Sequence, residues 1–511
     1  MKLASFLKKS FSKIAEAKRA KENKPLWILL SILTLLWLPS LFEPIAYGDE
    51  CIYFVLGQGF RQGLNFYKDI HDNKPPFLYL MAALSFGKVF WFRLYSLIWN
   101  ALHLIIIYRL SLRLTKKKIP AIISSLLFIF LYLIFEGRVA NGETFMMMPA
   151  TLAVYLLLDK TQLMFLKEKL KEKKIFEFLS GLIIGSLFSL GFLFKIPLGF
   201  DFAGVILAFF FFKLKDFSKK EIISLVANQT LWGTIVGFTA PIALSIVFYT
   251  SKGAFTPYVR SALLQNIGYL STWGGSNLEL YIRFFLLIIS TLVLFLFRKK
   301  IPFTPLLLFT WFLFGLFGAL LSGRPYPHYL VEIVPQLCLL FALALKEKKG
   351  IYLALPLISA ALVAYSFFHF KFWWYPQLPY YQNFLQRLTG QKNKQEYRAF
   401  WGEKVPTDYR LADFIQKTTQ GDEPIFVWGD AACTYATSQR LPPGRYTVNY
   451  HIYDFNGFEE TLEAIKKAKP KIIIKLEGEQ RSWSELNTLL YNEYIPFSLP
   501  GVKDQIYLRQ I

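Results

Sequence analysis

Long apolar runs, each bounded by charge, recur along the chain from residue 25 to residue 370. Each is roughly 17–25 residues long, the length at which an α-helix crosses the hydrocarbon core of a bilayer. The pattern predicts spans at 25–44, 89–111, 119–136, 145–160, 176–194, 197–213, 223–250, 279–297, 302–321, 329–345 and 351–370. Between them, the basic connectors are the N-terminus and residues 113–118, 167–174, 213–220, 298–300 and 346–349. These separate alternate pairs of spans, as one consistent orientation requires. The excess of lysine and arginine on cytoplasmic loops then places the N-terminus inside. The other connectors face outward: a long first loop at 45–88, short loops at 137–144 and 322–328, and an aromatic one at 251–278. Phe194-Lys195-Ile196-Pro197 separates two apolar stretches and predicts a tight outer turn or a broken helix.

The flanking segments differ in character. Residues 1–24 are basic, with Leu3, Phe6, Leu7, Phe11 and Ile14 at helical spacing, which predicts an amphipathic helix on the cytoplasmic membrane surface. No small-residue cleavage site follows the first span, so that span reads as an uncleaved anchor. Past residue 370, Trp373, Trp374, Tyr375, Tyr380 and Tyr381 suit an interfacial belt, which makes 371–399 an interfacial linker. Residues 408–419 and 458–469 read as amphipathic helices, and 425–428 and 471–475 as short buried strands. Residues 400–511 are therefore expected to form a small extracytoplasmic α/β domain. The expected fold is a polytopic α-helical membrane protein of about eleven transmembrane helices carrying that domain at its C-terminus. Gly429 follows a strand, but no glycine-rich phosphate loop or dinucleotide fingerprint accompanies it.

Composition agrees. Of 511 residues, 54% are hydrophobic and only 18% charged, more apolar surface than a soluble fold of this size can cover. A net charge of +23 would ordinarily raise nucleic-acid binding. Here the cations gather in short gaps between apolar runs, which points to membrane lipids as their partner and not to nucleic acid. Cys51, Cys338 and Cys433 have no metal-ligand spacing. Cys51 and Cys433 both fall outside, so a bridge between them is open but not demanded.

Several polar residues in the outer loops could carry chemistry. Asp49-Glu50 follows the first span directly, and two carboxylates at a membrane surface are costly without partners or a task. They read as a general base with an orienting or metal-binding neighbour, or as the solvated acidic start of a helix. Lys74-Pro75-Pro76 closes the first loop. The prolines fix an extended entry into a helix, so Lys74 is either a rigid point charge for a lipid phosphate or a snorkelling lysine. Glu143 opens the fourth span and is by itself more commonly a helix-terminus acid. In the segment 323–329, Arg324 and His328 lie beside two prolines, suited to phosphate recognition or to interfacial anchoring with Tyr326 and Tyr329. Lys195 is flanked by apolar residues and is a site candidate for that reason. Arg260, Tyr269 and Trp273 are too generic to rank above surface decoration.

In order and in sidedness, Asp49-Glu50, Lys74-Pro75-Pro76, Glu143, Arg324 and His328-Tyr329 resemble the GT-C superfamily of membrane glycosyltransferases. Within it, the resemblance is to the protein-mannosyltransferase-like and lipid A aminoarabinose transferase-like families, and it covers most of 25–370. It implies transfer of a sugar from a polyprenyl-phosphate donor to a lipid, glycan or protein acceptor outside the cell membrane, by a single inverting displacement. Asp49 would be the base, with Glu50 and Glu143 shaping the acidic pocket. Lys74, Arg324 and His328 would hold the lipid phosphate, with Lys195 carried over more weakly. The family's Asp-Xaa-Asp type of motif is replaced by Asp49-Glu50. A divalent metal is therefore left open, with Asp49, Glu50 and Glu143 as its ligands if one binds, and no cofactor is required.

The physics is compatible, since a hydroxyl needs a positioned carboxylate as it attacks and the leaving phosphate needs cations. A membrane transporter or lipid-linked-sugar flippase would also fit the span count and the interrupted Phe194–Pro197 segment. Against it, the acids gather outside the first spans and no internal repeat is visible. A lipid-linked glycan polymerase or ligase shares the topology and chemistry. A non-catalytic receptor leaves the acid pair and Lys-Pro-Pro of the first loop poorly explained.

Overall fold

In the computed structural model, residues 23–163, 172–265 and 277–510 are described. All but the last two residues of the expected N-terminal helix, most of the connector 167–174, and Tyr269 and Trp273 lie outside them. Seven helices are long and apolar enough to cross a membrane: Asn23–Phe42, Val89–Thr115, Lys173–Phe192, Gln229–Ser251, Leu278–Phe297, Pro327–Glu347 and Ile351–His369. Lys118–Ile134, Gly142–Leu158 and Phe303–Ala319 are apolar but shorter, and Leu198–Lys213 has 16 residues. Each expected span thus falls on a helix, but a helix of 16 or 17 residues reaches only about 25 Å against a hydrocarbon core of about 30 Å.

Burial separates interior from periphery. The apolar window of Pro327–Glu347 is 83% buried within the protein, whereas that of Leu278–Phe297 is 11% buried and offers its side chains to lipid. The interior position explains how a helix carrying His328, Glu332 and Gln336 can sit among apolar neighbours. Lys173–Phe192 and Gln229–Ser251 pack backbone against backbone. A Cβ on Gly185 would lie 2.0 Å from the Thr234 carbonyl oxygen, and one on Gly237 would lie 2.2 Å from that of Leu182. Gly181 and Gly185 on one helix, with Gly233 and Gly237 on the other, are small residues spaced by four, the pattern that lets membrane helices approach this closely.

The first loop is ordered as two helices, Gly48–Arg61 and Phe77–Leu84. Beyond the last apolar helix, four strands form one sheet: β1 (Phe426–Trp428), β2 (Ile472–Lys475), β3 (Tyr494–Phe497) and β4 (Gln505–Arg509), in the order β1-β2-β4-β3. β1 and β2 are parallel, with Phe426 opposite Ile473; β4 is antiparallel to β2 and to β3. The strands anticipated at 425–428 and 471–475 are β1 and β2, whose apolar residues are buried. β3 and β4 were not anticipated. β3 is an edge strand with three exposed residues, and Pro496 within it argues against a strand in the sequence.

This sheet unit is fastened to the first loop. Cys51 and Cys433 form a disulfide, Gln58 donates to the Gln439 carbonyl at 2.9 Å, and the His71 N–H donates to the Arg445 carbonyl at 2.8 Å. The Ile45 N–H donates to the Tyr409 hydroxyl at 2.8 Å.

Candidate active site at the start of the first loop

Asp49 and Glu50 both lie in the first turn of Gly48–Arg61, where their charges complement the positive end of the helix. Consecutive residues on a helix point about 100° apart, so the two acids have different surroundings. Asp49 keeps 36% of its side chain exposed and faces a cleft, with Oδ1 3.8 Å from the Lys74 Nζ. Burial alone would raise its pKa. Lys74, then His328, Lys195 and Arg324, outweigh that and hold the carboxyl below its ordinary value.

Glu50 is turned away from the cleft. Its Oε2 accepts from Arg93 at 2.8 Å and its Oε1 accepts from the Ala140 N–H at 2.8 Å. Arg93 also lies 3.2 Å from Glu43 and donates to the Arg138 carbonyl at 2.8 Å. Burial pushes the Glu50 pKa up, while Arg93 and the Ala140 N–H oppose it. Glu50 therefore belongs to a buried ion-pair network on the far side of the helix, and the structure does not bring it to the acids of the cleft.

Lys74 is held as its two following prolines predict. Its N–H donates to the Tyr79 hydroxyl at 2.9 Å, its carbonyl accepts from Tyr67 at 2.8 Å, and Pro76 caps the Phe77–Leu84 helix. Its Nζ lies 3.6 Å from Asp72 and 5.1 Å from the Tyr53 ring centre. Glu143 stands in the first turn of Gly142–Leu158 and is ion-paired with Lys195. Lys195 occupies the tight turn between Lys173–Phe192 and Leu198–Lys213, which settles the interrupted segment as a turn. Its Nζ lies 4.5 Å from the ring centre of Tyr329.

Of the other cations, His328 contacts Tyr47 at 3.2 Å and lies 3.6 Å from Glu136 and 3.9 Å from Glu143. It thus bridges acids and does not line the cleft. Arg324 acts on Asp49 and on Asp454 of the C-terminal unit electrostatically. Arg260 lies apart, its guanidinium 4.9 Å from the Phe455 ring centre.

The cleft lies between Asp49, Lys74, Glu143, Lys195, Tyr329 and Glu332, with Tyr450 of the C-terminal unit lining one side. Glu332 and Tyr450 were missed by the sequence reading. So was Asp201, which accepts from Trp311 Nε1 at 2.6 Å and Gln336 Nε2 at 3.0 Å and interacts electrostatically with Glu332. A signal for both acids was present, since each interrupts an apolar run. Tyr450 had none, because only the chain's return onto the first loop brings it there. Beside it, His451 lies 3.7 Å from Asp72, and the His71 ring packs on His451 at 4.7 Å. Among the described residues, no three His, Cys, Asp or Glu side chains gather as metal ligands. Asp49 and Glu143 are engaged by lysines and Glu50 by Arg93, so the three acids considered as a ligand set do not converge.

No family model and no curated protein matches the sequence. Solved structures do. ArnT from Cupriavidus metallidurans bound to undecaprenyl phosphate matches with a TM-score of 0.58 at 12% identity, covering 95% of this chain and 98% of that one. The same protein in the apo state gives 0.57 at 13% identity, covering 94% and 97%. The chain has the fold of these ArnT structures. The likeness read from the order of motifs is thereby borne out for the fold, along nearly the whole of both chains. The archaeal oligosaccharyltransferase AglB from Archaeoglobus fulgidus, in complex with an inhibitory peptide and a dolichol-phosphate, gives 0.46 at 14% identity, covering 96% and 75%.

Proposed function

We propose that this protein is a glycosyltransferase that moves a sugar from a polyprenyl-phosphate donor to an acceptor on the extracytoplasmic side of the cell membrane. The observation that carries the reading is the pairing of Asp49 with Lys74 at the mouth of one cleft, a base beside a phosphate-binding cation on a GT-C fold. In this reading the acceptor hydroxyl attacks the anomeric carbon from the face opposite the phosphate. A new carbon–oxygen bond forms, the sugar–phosphate bond breaks with inversion, and the hydroxyl proton passes to Asp49 and then to water. Lys74 and Arg324 neutralise the charge growing on the departing lipid phosphate. Glu143, held by Lys195 and flanked by His328, positions the acceptor side of the cleft. Glu50 has a structural task, because Arg93 and a backbone N–H occupy its oxygens. That ArnT is seen with undecaprenyl phosphate supports a polyprenyl phosphate as the donor lipid.

The Cys51–Cys433 bridge favours the same orientation as the basic connectors, since disulfides persist in oxidising compartments outside the cytoplasm. The test is transfer in membranes supplied with labelled polyprenyl-phosphate sugars, comparing the wild type with Asp49→Asn. Loss of a positioned base is expected to slow transfer by about 10²–10⁴-fold at unchanged expression. Equal transfer by the two proteins removes Asp49 from the chemistry. Failure of both across a broad donor and acceptor set returns the weight to transport.

A further inference from the structure

A second groove lies apart from the cleft. It runs between the end of Asn23–Phe42 and the helices Gln377–Leu388 and Lys394–Ala399. Its lining includes the cations Arg387, Lys394 and Arg398 and the apolar Phe42, Phe384 and Leu388. Phe42 and Leu388 are 53% and 71% exposed. Glu43 is the acid among the groove's residues, and it is already compensated by Arg93 at 3.2 Å and by a hydrogen bond from Tyr380. Three cations thus outnumber the groove's one acid beside exposed apolar side chains, with the Arg398 guanidinium stacked 3.4 Å from the Tyr409 ring centre. The hydroxyl of Tyr397, in the same wall, is buried with no hydrogen-bond partner among the described residues.

The level of the groove matters as much as its charge. Its walls form where the first apolar helix ends at Phe42 and shortly after the last one ends at His369. Groups at such a boundary meet phosphate headgroups on one side and acyl chains on the other. A groove that sets cations beside apolar side chains matches an amphiphile with an anionic head. A soluble anion would leave the apolar half uncovered.

We propose that this groove binds one anionic glycerophospholipid, its phosphate between Arg387, Lys394 and Arg398 and an acyl chain over Phe42, Phe384 and Leu388. The lipid would brace the segment that leads to the cleft: Tyr409, in the groove wall, holds the Ile45 N–H four residues before Asp49. The site is independent of the transfer reaction, so its test is made on binding alone.

Native mass spectrometry of the full chain, titrated with phosphatidylglycerol in detergent, measures this directly. The wild type is expected to retain one lipid tightly, and Arg387→Gln with Lys394→Gln to retain it about 10- to 30-fold more weakly, as for the loss of two cations at an anionic surface. Both side chains are exposed, and an unchanged unfolding temperature shows that the variant is folded. Lys466→Gln with Lys467→Gln removes the same charge from an exposed helix elsewhere and is expected to bind as the wild type does. Equal binding by the groove variant and the wild type would falsify the proposal. Equal retention of phosphatidylcholine, or an equal loss in the control variant, overturns it as well. Displacement of the lipid by millimolar inorganic phosphate overturns it too, by showing a bare anion site.

Discussion

Two neighbouring carboxylates carry the sharpest contrast at the scale of single residues. Asp49 and Glu50 are indistinguishable in sequence, yet one faces a cleft beside Lys74 and the other closes a buried network with Arg93 and Glu43. Their substitutions should separate accordingly. Asp49→Asn affects transfer and leaves stability nearly unchanged, because its side chain is partly exposed. Glu50→Gln removes one of two carboxylates from a buried arginine, which is expected to cost about 3 kcal/mol of stability. Thermal unfolding in detergent, paired with transfer per folded molecule, checks both halves. A Glu50→Gln protein that is as stable as the wild type but inactive contradicts the structural role assigned here. The sequence could not make this distinction, since it depends on where Arg93, forty-three residues away, meets the helix.

Among the elements, the contact between Lys173–Phe192 and Gln229–Ser251 is the most constrained. Gly181, Gly185, Gly233 and Gly237 lie where any Cβ would run into the backbone of the facing helix. A leucine at Gly185 has no flexible neighbour to displace, only the Thr234 carbonyl 2.0 Å from its Cβ. The helices must separate, at an expected cost of about 1–3 kcal/mol from overpacking, seen as a lower unfolding temperature. Leucine at the exposed Val293 of Leu278–Phe297 provides the control, and an equal effect at both positions argues against the close packing. The four-residue spacing of these glycines was legible in the sequence, but which helices it joined was not. The turn at Lys195, by contrast, was legible because Pro197 cannot continue the preceding helix.

The whole molecule is organised by the return of the C-terminal unit onto the first loop. The Cys51–Cys433 bridge fixes that contact covalently, and His71, Asp72 and His451 pack inside it. Burial pushes the His451 pKa from 6.5 to about 4, although Asp72 opposes the shift, and pushes His71 well below its ordinary value. Lys74, Asp430 and Asp49 are the other charges bearing on His451, and His451, Arg445 and Arg260 bear on His71. The unfolded chain takes up a proton on His451 below about 6.5, and the folded chain resists it down to about 4. The sign follows: stability is complete above that window and falls as pH drops through it, by up to about 3 kcal/mol from His451. Unfolding temperature measured from pH 7.5 to 4 is expected to fall, and to fall less steeply in His451→Gln. Identical slopes for the two proteins would remove His451 as the cause.

By itself the sequence determined that this chain must be solvated by lipid, where its apolar helices lie, and which connecting segments carry the acids and cations. Each of these follows from local composition and periodicity, because an apolar run of span length has few other fates and a proline breaks a helix wherever it stands. It also determined the order of motifs that points to a GT-C fold. Only the tertiary structure decided which of two adjacent acids faces the cleft, that Glu332 and Tyr450 join it, and that Cys51 meets Cys433. Those outcomes rest on contacts between residues tens to hundreds of positions apart. Such contacts are set by how helices pack and how the C-terminal unit docks, which no local pattern encodes.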